Sequence, residues 1–159
     1  MCENTSKTAK EEFKDKPDRK RAEQSDKADA VLNGKCVLFA DDDKTSAHLM
    51  IHLLSEKGIR TEYATDGDTA MKMFADSPEG HYDAVILDVH MPVVNGHEAA
   101  LAIRKMRHSD SVKIPIIAVT GFEGEEEKEL SEYAGITVHL TKPVNPKKLY
   151  DTLRELLSE

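Results

Sequence analysis

Five short strand-like runs alternate with five amphipathic stretches after Gly34, and this alternation restricts the fold more than any other feature of the sequence. Four of the runs are largely apolar, as strands buried on both faces of a parallel sheet are. The second run, from Arg60 to Ala64, is more polar and therefore fits an edge strand. In chain order the runs read CVLFA, RTEYA, VILD, IPIIAVT and TVHLT. This pattern predicts a parallel sheet with right-handed crossovers and helices on both faces, which is a doubly wound α/β domain.

The stretches between the runs carry apolar residues at helical spacing, so each one predicts a helix with one buried face. The residues that share a face are Ala47, Met50, Ile51 and Leu54; Ala70, Met73 and Phe74; Ala99, Ile103 and Met106; and Leu149, Leu153, Leu156 and Leu157. An acidic stretch from Glu123 to Ala134 predicts the most exposed helix. Gly58 and Gly135 stand where helices should end, and Pro146 stands where the last helix should begin.

Polar side chains stand at the carboxyl ends of the predicted strands, although the strands themselves are apolar. These residues are Asp41, Asp42, Asp88, Thr120 and Lys142. In doubly wound folds the carboxyl ends of the strands meet at one edge of the sheet, where ligands bind. We therefore expect Lys142 to point across a cleft towards Asp88. Thr120 is expected to offer a hydroxyl group to a ligand in the same cleft. A ligand site at that edge would explain why the buried strand VILD ends on an acidic residue, Asp88.

Three consecutive carboxylates, Asp41, Asp42 and Asp43, follow the first strand. Crowded carboxylates repel one another unless a cation neutralises them, and Mg²⁺ prefers such oxygen ligands. Alternatively, the acids only cap the helix that follows, whose N-terminus favours negative charge. One acid is sufficient for a cap, and Asp88 is expected in the same cleft, so the sequence favours a Mg²⁺ site.

Residues 1–34 differ from the rest of the chain and predict a charged flexible tail or linker. They hold eight basic and eight acidic side chains, and Phe13 is the single large apolar residue between Met1 and Asp29. Such a segment cannot bury enough apolar surface to order itself. Residues 35–159 are expected to form the one folded domain.

Composition excludes several classes of protein. Because acidic and basic side chains are equal in number in the tail, the net charge of −8 belongs to the predicted domain. A domain that binds the phosphate backbone of nucleic acid would need a basic face, so nucleic acid is not expected as a direct partner. No apolar run approaches the length of a membrane span, and the N-terminus lacks the apolar centre of a secretory signal, so we expect a cytoplasmic protein without membrane insertion. Cys2 and Cys36 have neither a disulfide pattern nor a metal-ligand spacing and are expected to be reduced thiols.

The segment from Lys35 to Glu159 resembles the receiver domain of two-component response regulators, which accept a phosphoryl group on an aspartate. Four motifs carry this resemblance, and together they are highly specific. They are the acidic cluster after strand one, LDVHMPVVNG around the end of strand three, AVTG after strand four and LTKPV after strand five. The resemblance implies a flavodoxin-like (βα)5 sheet with strand order 2-1-3-4-5.

The resemblance also implies roles for individual residues. Asp88 would be the phosphoacceptor, and Asp42 and Asp88 would bind Mg²⁺ directly. His90 would add its backbone carbonyl to the metal, and Asp41 would act through water. Thr120 and Lys142 would hold the phosphoryl oxygens. We expect no independent enzyme, but a domain that catalyses its own Mg²⁺-dependent phosphorylation and dephosphorylation.

The sequence departs from this family at His139, where receivers usually have tyrosine or phenylalanine. In the family this ring swings inward when the hydroxyl equivalent to that of Thr120 moves towards phosphate. Imidazole is smaller and ionisable, so a switch made of Thr120 and His139 would be altered, pH-sensitive or absent. Four other histidines, His48, His52, His90 and His97, are interpreted as ordinary surface or helix residues.

Two other functions remain open from the sequence. DDDKT also fits a haloacid-dehalogenase-type phosphatase, with Asp41 as nucleophile and Asp43 as acid/base, but no later acidic pair or cap insertion completes that site. Alternatively, the domain is a degenerate receiver that serves as a binding module.

The expected partners are a histidine kinase, a histidine phosphotransfer protein, or both. Because no segment before Gly34 predicts a DNA-binding helix pair, phosphorylation would be read by another protein or by a domain outside this chain. A phosphorelay is favoured, since the tail resembles an interdomain linker. The alternative is that the face formed by the fourth helix, the fifth strand and the fifth helix docks a partner with a basic surface. The acidic residues of this face are Glu123, Glu125, Glu126, Glu127 and Glu129.

Overall fold

A computed structural model describes residues 29–121 and 124–158 of the chain. The strands are β1 (Cys36–Ala40), β2 (Arg60–Ala64), β3 (Ala84–Asp88), β4 (Ile116–Thr120) and β5 (Val138–Thr141). The helices are α1 (Lys44–Glu56), α2 (Gly67–Asp76), α3 (Gly96–Lys105), α4 (Glu125–Ala134) and α5 (Pro146–Leu157). Among the described residues, no helix has both the length and the apolar character to span a bilayer.

The five strands form one sheet in the order β2-β1-β3-β4-β5, and every neighbouring pair is parallel. The predicted fold and strand order are therefore confirmed, and the more polar strand β2 lies at an edge. Asp88 pairs with Val119, and Thr120 pairs with Thr141. This register places the carboxyl ends of β3, β4 and β5 side by side.

Alternate side chains of the strands enter two hydrophobic cores, one on each face of the sheet. One core packs Phe39 and Ile86 against helices α1 and α5. The other packs Leu38 and Leu87 against α2, α3 and the end of α4. Phe39 and Ile86 are almost fully buried. Truncating such a large side chain to alanine is expected to cost about 2–5 kcal/mol of unfolding free energy.

Local signals in the sequence explain where the helices begin and end. Asp43 caps α1 by accepting a hydrogen bond from the Thr45 backbone N–H at 3.0 Å. Helix α5 begins at Pro146, as predicted. Helix α4 ends at Ala134 and is capped by Gly135, whose φ of 76° lies in the left-handed region that glycine adopts without strain. The predicted start of α4 at Glu123 lies outside the described residues, and the helix is described from Glu125.

The last residues of the predicted tail contribute to the folded unit. Leu32 is fully buried in the core that contains α1 and α5, and the compact unit begins at Val31. The rest of the predicted tail, with Cys2 and Phe13, lies outside the described residues. Its role as a linker stays a prediction.

Candidate functional site

Three aspartates meet at the carboxyl edge of the sheet. Asp41 and Asp42 directly follow β1, and Asp88 is the last residue of β3. One carboxylate oxygen from each residue lies within 4.8 Å of the other two. Asp41 and Asp88 are buried, whereas Asp42 is exposed. The site is therefore a group of hard oxygen ligands that is open on one side, and such a group can bind a metal ion.

Lys142 brings a positive charge to this carboxylate group. Its Nζ lies 3.3 Å from Asp88 Oδ2 and 3.6 Å from Asp41 Oδ2. Its backbone N–H donates a hydrogen bond to the Thr120 carbonyl at 2.8 Å, which fixes the start of the loop after β5 against the end of β4. The side chain is 30% exposed, so the ammonium group faces both the carboxylates and solvent.

Burial and the neighbouring charge of Asp88 raise the pKa of Asp41 to about 6, although the Asp43 backbone N–H and Lys142 oppose this shift. The Asp43 N–H donates to Asp41 Oδ1 at 2.9 Å. A carboxyl group with this pKa keeps a proton in part of the population near neutral pH. A cation bound beside it favours the ionised form and displaces that proton.

Asp88 is followed by a tightly packed loop that leads into α3. The His90 backbone N–H lies 3.3 Å from Asp88 Oδ1, while the His90 side chain is exposed. A Cβ atom on Gly96 would lie 2.5 Å from the Asp88 carbonyl oxygen, so only glycine fits there. Val93 has a φ of 68° and is 93% exposed. This conformation is rare for a β-branched residue, and such outliers cluster in functional loops.

An apolar groove of about 370 Å³ runs beside the carboxylates, between α1 and the loop after β5. Its lining residues are Phe39, Asp41, Ser46, Leu49, Met50, Leu53, Val119, Lys142, Pro143 and Val144. Leu49 is 57% exposed although it is a large apolar residue. Thr120 is buried at the end of β4, next to the strand that carries Asp88.

Asp43 does not join the carboxylate group. Its two oxygens accept hydrogen bonds from the Thr45 backbone N–H and from the Ser46 hydroxyl at 3.0 and 2.9 Å. These bonds hold the pKa of Asp43 below its usual range. An ionised capping residue is a poor general acid, so this geometry disfavours the phosphatase alternative, in which Asp43 would be the acid/base.

A second polar cluster surrounds His139, and most of its contacts could not be predicted from the sequence. Ser131, which is buried in α4, hydrogen-bonds the Nε2 atoms of both His139 and His97. His97 Nε2 also lies 3.5 Å from Glu127 Oε2, and its side chain is only 11% exposed. His97 is thus a helix residue, as predicted, but its side chain is largely buried, whereas His48, His52 and His90 are exposed.

The chemistry of this cluster restricts the protonation of the two rings. The Ser131 hydroxyl has one proton to donate, so at least one of the two Nε2 atoms must carry hydrogen. Burial lowers the pKa of His97, and Glu127 opposes the shift. Glu127 and Ser131 are four residues apart and so share a face of α4. That spacing was the one signal in the sequence, since His97 reaches them through a contact between helices.

Known proteins with similar sequences are receiver domains and histidine kinases. The family model described as the response regulator receiver domain matches residues 37–154. A hybrid signal transduction histidine kinase I of Dictyostelium discoideum is 35% identical over 119 residues, which are 74% of this chain and 7% of that kinase. The peroxide stress-activated histidine kinase mak2 of Schizosaccharomyces pombe is 32% identical over 80% of this chain and 6% of its own length. The chain thus spans a small part of these kinases.

Solved structures show the same fold. Chemotaxis protein CheY4 of Vibrio cholerae superposes with a TM-score of 0.71 and 32% identity, over 77% of this chain and 98% of that protein. The receiver domain of a sensor histidine kinase from Pseudomonas aeruginosa, which has a magnesium ion in its active-site cleft, gives a TM-score of 0.71 at 25% identity, over 79% and 99% of the two chains. By its sequence match, its sheet order and the residues at the carboxyl edge of its sheet, the chain belongs to the response regulator receiver domain family of two-component systems.

Proposed function

We propose that Asp88 accepts a phosphoryl group from a phosphohistidine donor. One observation carries the proposal: the buried Asp88 carboxylate lies at the open edge of the sheet, 3.3 Å from the ammonium of Lys142 and within reach of two further carboxylates. A nucleophile, a fixed cation and a set of metal ligands are the parts that phosphoryl transfer to a carboxylate needs.

The transfer is an in-line displacement. An Asp88 carboxylate oxygen attacks phosphorus, the bond between phosphorus and the donor's imidazole nitrogen breaks, and that nitrogen keeps the electron pair. Solvent can protonate the leaving imidazole. The protein mainly positions the carboxylate and neutralises charge, since phosphoryl transfer demands little covalent chemistry from it.

The residues at the site fit a Mg²⁺ ion, because their donors are carboxylate oxygens and the group is open on the Asp42 side. Asp42 and Asp88 would hold the ion directly, Asp41 would act through water, and the His90 carbonyl would complete the protein ligands. When bound, Mg²⁺ supplies positive charge to the phosphoryl oxygens.

Lys142 and Thr120 have complementary tasks in this proposal. Lys142 neutralises Asp88 before transfer and can pair with a phosphoryl oxygen afterwards. Thr120 ends the strand beside β3 and offers a hydroxyl to another phosphoryl oxygen. Both residues are held by the same backbone hydrogen bond, which joins the Lys142 N–H to the Thr120 carbonyl. A shift of Thr120 towards phosphate would therefore also displace the end of β5, the strand that carries His139.

His139 is proposed as the switch residue that reports this shift. Its ring is held by the buried Ser131 hydroxyl, so any rotation of the ring must exchange that hydrogen bond. We expect the imidazole nitrogen chemical shifts of His139 to change on phosphorylation of the wild type. In Ser131→Ala the ring is released beforehand, and the change should be smaller.

We propose a histidine kinase or histidine phosphotransfer protein as donor, acting in the cytoplasm. The apolar groove beside the carboxylates, with exposed Leu49 on its rim, is suited to dock the donor. The residues before Val31 would then link the domain to a further part of a kinase. Leu49→Asp should slow transfer from a protein donor while leaving transfer from acetyl phosphate unchanged.

The proposal is tested by intact-mass measurement after incubation with acetyl phosphate and Mg²⁺. The wild type should gain one phosphoryl group, and Asp88→Asn should gain none. Asp76→Asn, which removes an exposed carboxylate at the end of α2, is the matched control and should behave as the wild type. Equal phosphorylation of Asp88→Asn and wild type would refute Asp88 as the acceptor.

A further inference from the structure

A second group of potential metal ligands lies at the amino end of the sheet, away from Asp88. Cys36 begins β1, Glu62 lies within the edge strand β2, and His81 precedes β3. The Cys36 Sγ, a Glu62 carboxylate oxygen and a His81 ring nitrogen all lie within 4.8 Å of one another. We call these three residues the Cys36–Glu62–His81 cluster. Unlike the aspartates, it combines a sulfur, a nitrogen and an oxygen donor.

The distances within the cluster fit tetrahedral coordination with small movements. Zn–S and Zn–O bonds of about 2.3 and 2.1 Å at a tetrahedral angle imply an S···O separation of about 3.6 Å. Cys36 Sγ lies 3.7 Å from Glu62 Oε2. Glu62 Oε2 and His81 Nε2 are 2.6 Å apart, as in a hydrogen bond, and would separate to about 3.4 Å around an ion. Both side chains are partly exposed, at 40% and 31%, so they can make this adjustment.

Neighbouring residues hold the cluster in place. The buried Tyr82 donates its hydroxyl to Glu62 Oε1 at 2.8 Å, which leaves Oε2 directed at Cys36 and His81. The Asp83 carboxylate accepts a hydrogen bond from the Cys36 backbone N–H at 2.9 Å. Ligands of metal sites are commonly oriented by such outer hydrogen bonds.

We propose that the Cys36–Glu62–His81 cluster binds a borderline-soft divalent ion of the Zn²⁺ class, with the fourth position open to solvent. A thiolate and an imidazole select such an ion over Mg²⁺, whereas the three aspartates select the hard ion. The two sites therefore differ in chemistry as well as in place. This proposal does not rest on phosphorylation of Asp88.

The competing explanation is a hydrogen-bond network without metal, since Tyr82, His81 and Cys36 all contact the Glu62 carboxylate. The two explanations differ in one respect. A metal site requires the sulfur to bind as thiolate, and cobalt reports this directly, because Co²⁺ bound to a thiolate shows a ligand-to-metal charge-transfer band. Co²⁺ also adopts the geometry of Zn²⁺ sites.

The test is a Co²⁺ titration of the full chain carrying Cys2→Ser, so that Cys36 is the remaining thiol, with excess Mg²⁺ to occupy the aspartates. We expect the charge-transfer band to appear at one equivalent and to be displaced by Zn²⁺. The band should be absent in Cys36→Ala, and Co²⁺ affinity should fall at least about tenfold in His81→Gln. Tyr82→Phe should lose about tenfold, since outer hydrogen bonds are worth 10–100-fold in affinity.

The matched control is His52→Gln. His52 pairs with Glu56 at 3.1 Å, as His81 pairs with Glu62, but on the exposed face of α1 and without a thiol. This variant should titrate as the parent does. Absence of the band in the folded parent, or equal Co²⁺ affinity in the parent and His81→Gln, would overturn the proposal. His81 is partly exposed, so its variant keeps the test decisive even if Cys36→Ala does not fold.

Discussion

Lys142 Nζ lies 3.3 Å from Asp88 Oδ2 and shares its charge with Asp41 Oδ2 at 3.6 Å. Two buried carboxylates a few ångströms apart would repel strongly, and the ammonium makes their ionisation tolerable. The same contact places a cation where the negative charge of a phosphoryl group would arrive. Lys142 therefore contributes to both the stability and the proposed chemistry of the site.

Replacing Lys142 with methionine is expected to lower the free energy of unfolding by about 1–2 kcal/mol without metal. It leaves two buried carboxylates uncompensated, although partial exposure of the ammonium reduces the penalty. The measurement is urea unfolding in the presence of EDTA. Lys147→Met is the control: Lys147 pairs with Asp151 on the surface of α5, with 84% of its side chain exposed, and should cost under about 0.5 kcal/mol. Equal losses in both variants would contradict a special role for Lys142.

Asp42→Ala is expected to weaken Mg²⁺ binding at least about tenfold, because it removes the exposed oxygen ligand on the open side of the site. Isothermal titration in the absence of phosphate measures this. Asp43→Ala is the control for the helix cap: it should be less stable than the wild type, because α1 loses its N-cap, and it should keep its Mg²⁺ affinity. If both variants bind Mg²⁺ as the wild type does, the assignment of Asp42 is wrong.

Asp88→Asn should leave the metal-free protein unchanged or up to about 1 kcal/mol more stable, since it relieves repulsion with Asp41 while Lys142 keeps its second partner. Mg²⁺ should then stabilise the wild type more than the variant, because binding to the folded state alone shifts the equilibrium. Thermal unfolding with EDTA and with Mg²⁺ provides the comparison. A large loss of stability in EDTA would show that Asp88 is needed for the fold itself.

The pH dependence of stability should include a contribution from His97. Burial lowers its pKa in the folded state, so the unfolded chain binds a proton first as the pH falls below about 6.5. Stability is therefore lost as the pH decreases through this window, and the loss ends below the folded pKa. Glu127 opposes the shift, while His139 and His90 add to it.

His97→Gln should show a shallower decline in unfolding free energy between about pH 7 and pH 5 than the wild type does. Urea unfolding at a series of pH values measures the two slopes, and the titration of Asp41 is common to both proteins. His52→Gln, at an exposed position of α1, should keep the wild-type slope. Parallel slopes for wild type and His97→Gln would show that His97 does not contribute to the pH dependence of stability.

Local and periodic signals in the sequence were sufficient to predict the elements and the α/β fold class. Apolar runs specified the strands, the polar character of Arg60 to Ala64 placed β2 at an edge, and the strand ends brought Asp41, Asp88 and Lys142 together. Strand order came from the family resemblance, because periodicity does not specify which strands pair.

What the sequence did not reveal depends on contacts between residues that are far apart in the chain. Ser131 contacts His97 across 34 positions, and Tyr82 reaches Glu62 across 20. Neither pair has a recognisable spacing in the sequence. Leu32 was placed in the tail because the charged residues around it dominate the local composition, yet its side chain is fully buried.

Locating the phosphoryl group on the chain tests directly whether Asp88 is the acceptor. Borohydride reduces an aspartyl phosphate to homoserine, and peptide mass spectrometry identifies the residue that has changed. After treatment with a phosphohistidine donor and Mg²⁺, we expect homoserine at position 88, the last residue of β3, with Asp41 and Asp42 unchanged. Homoserine at position 41 or 42, or phosphorylated protein without homoserine at 88, would contradict it.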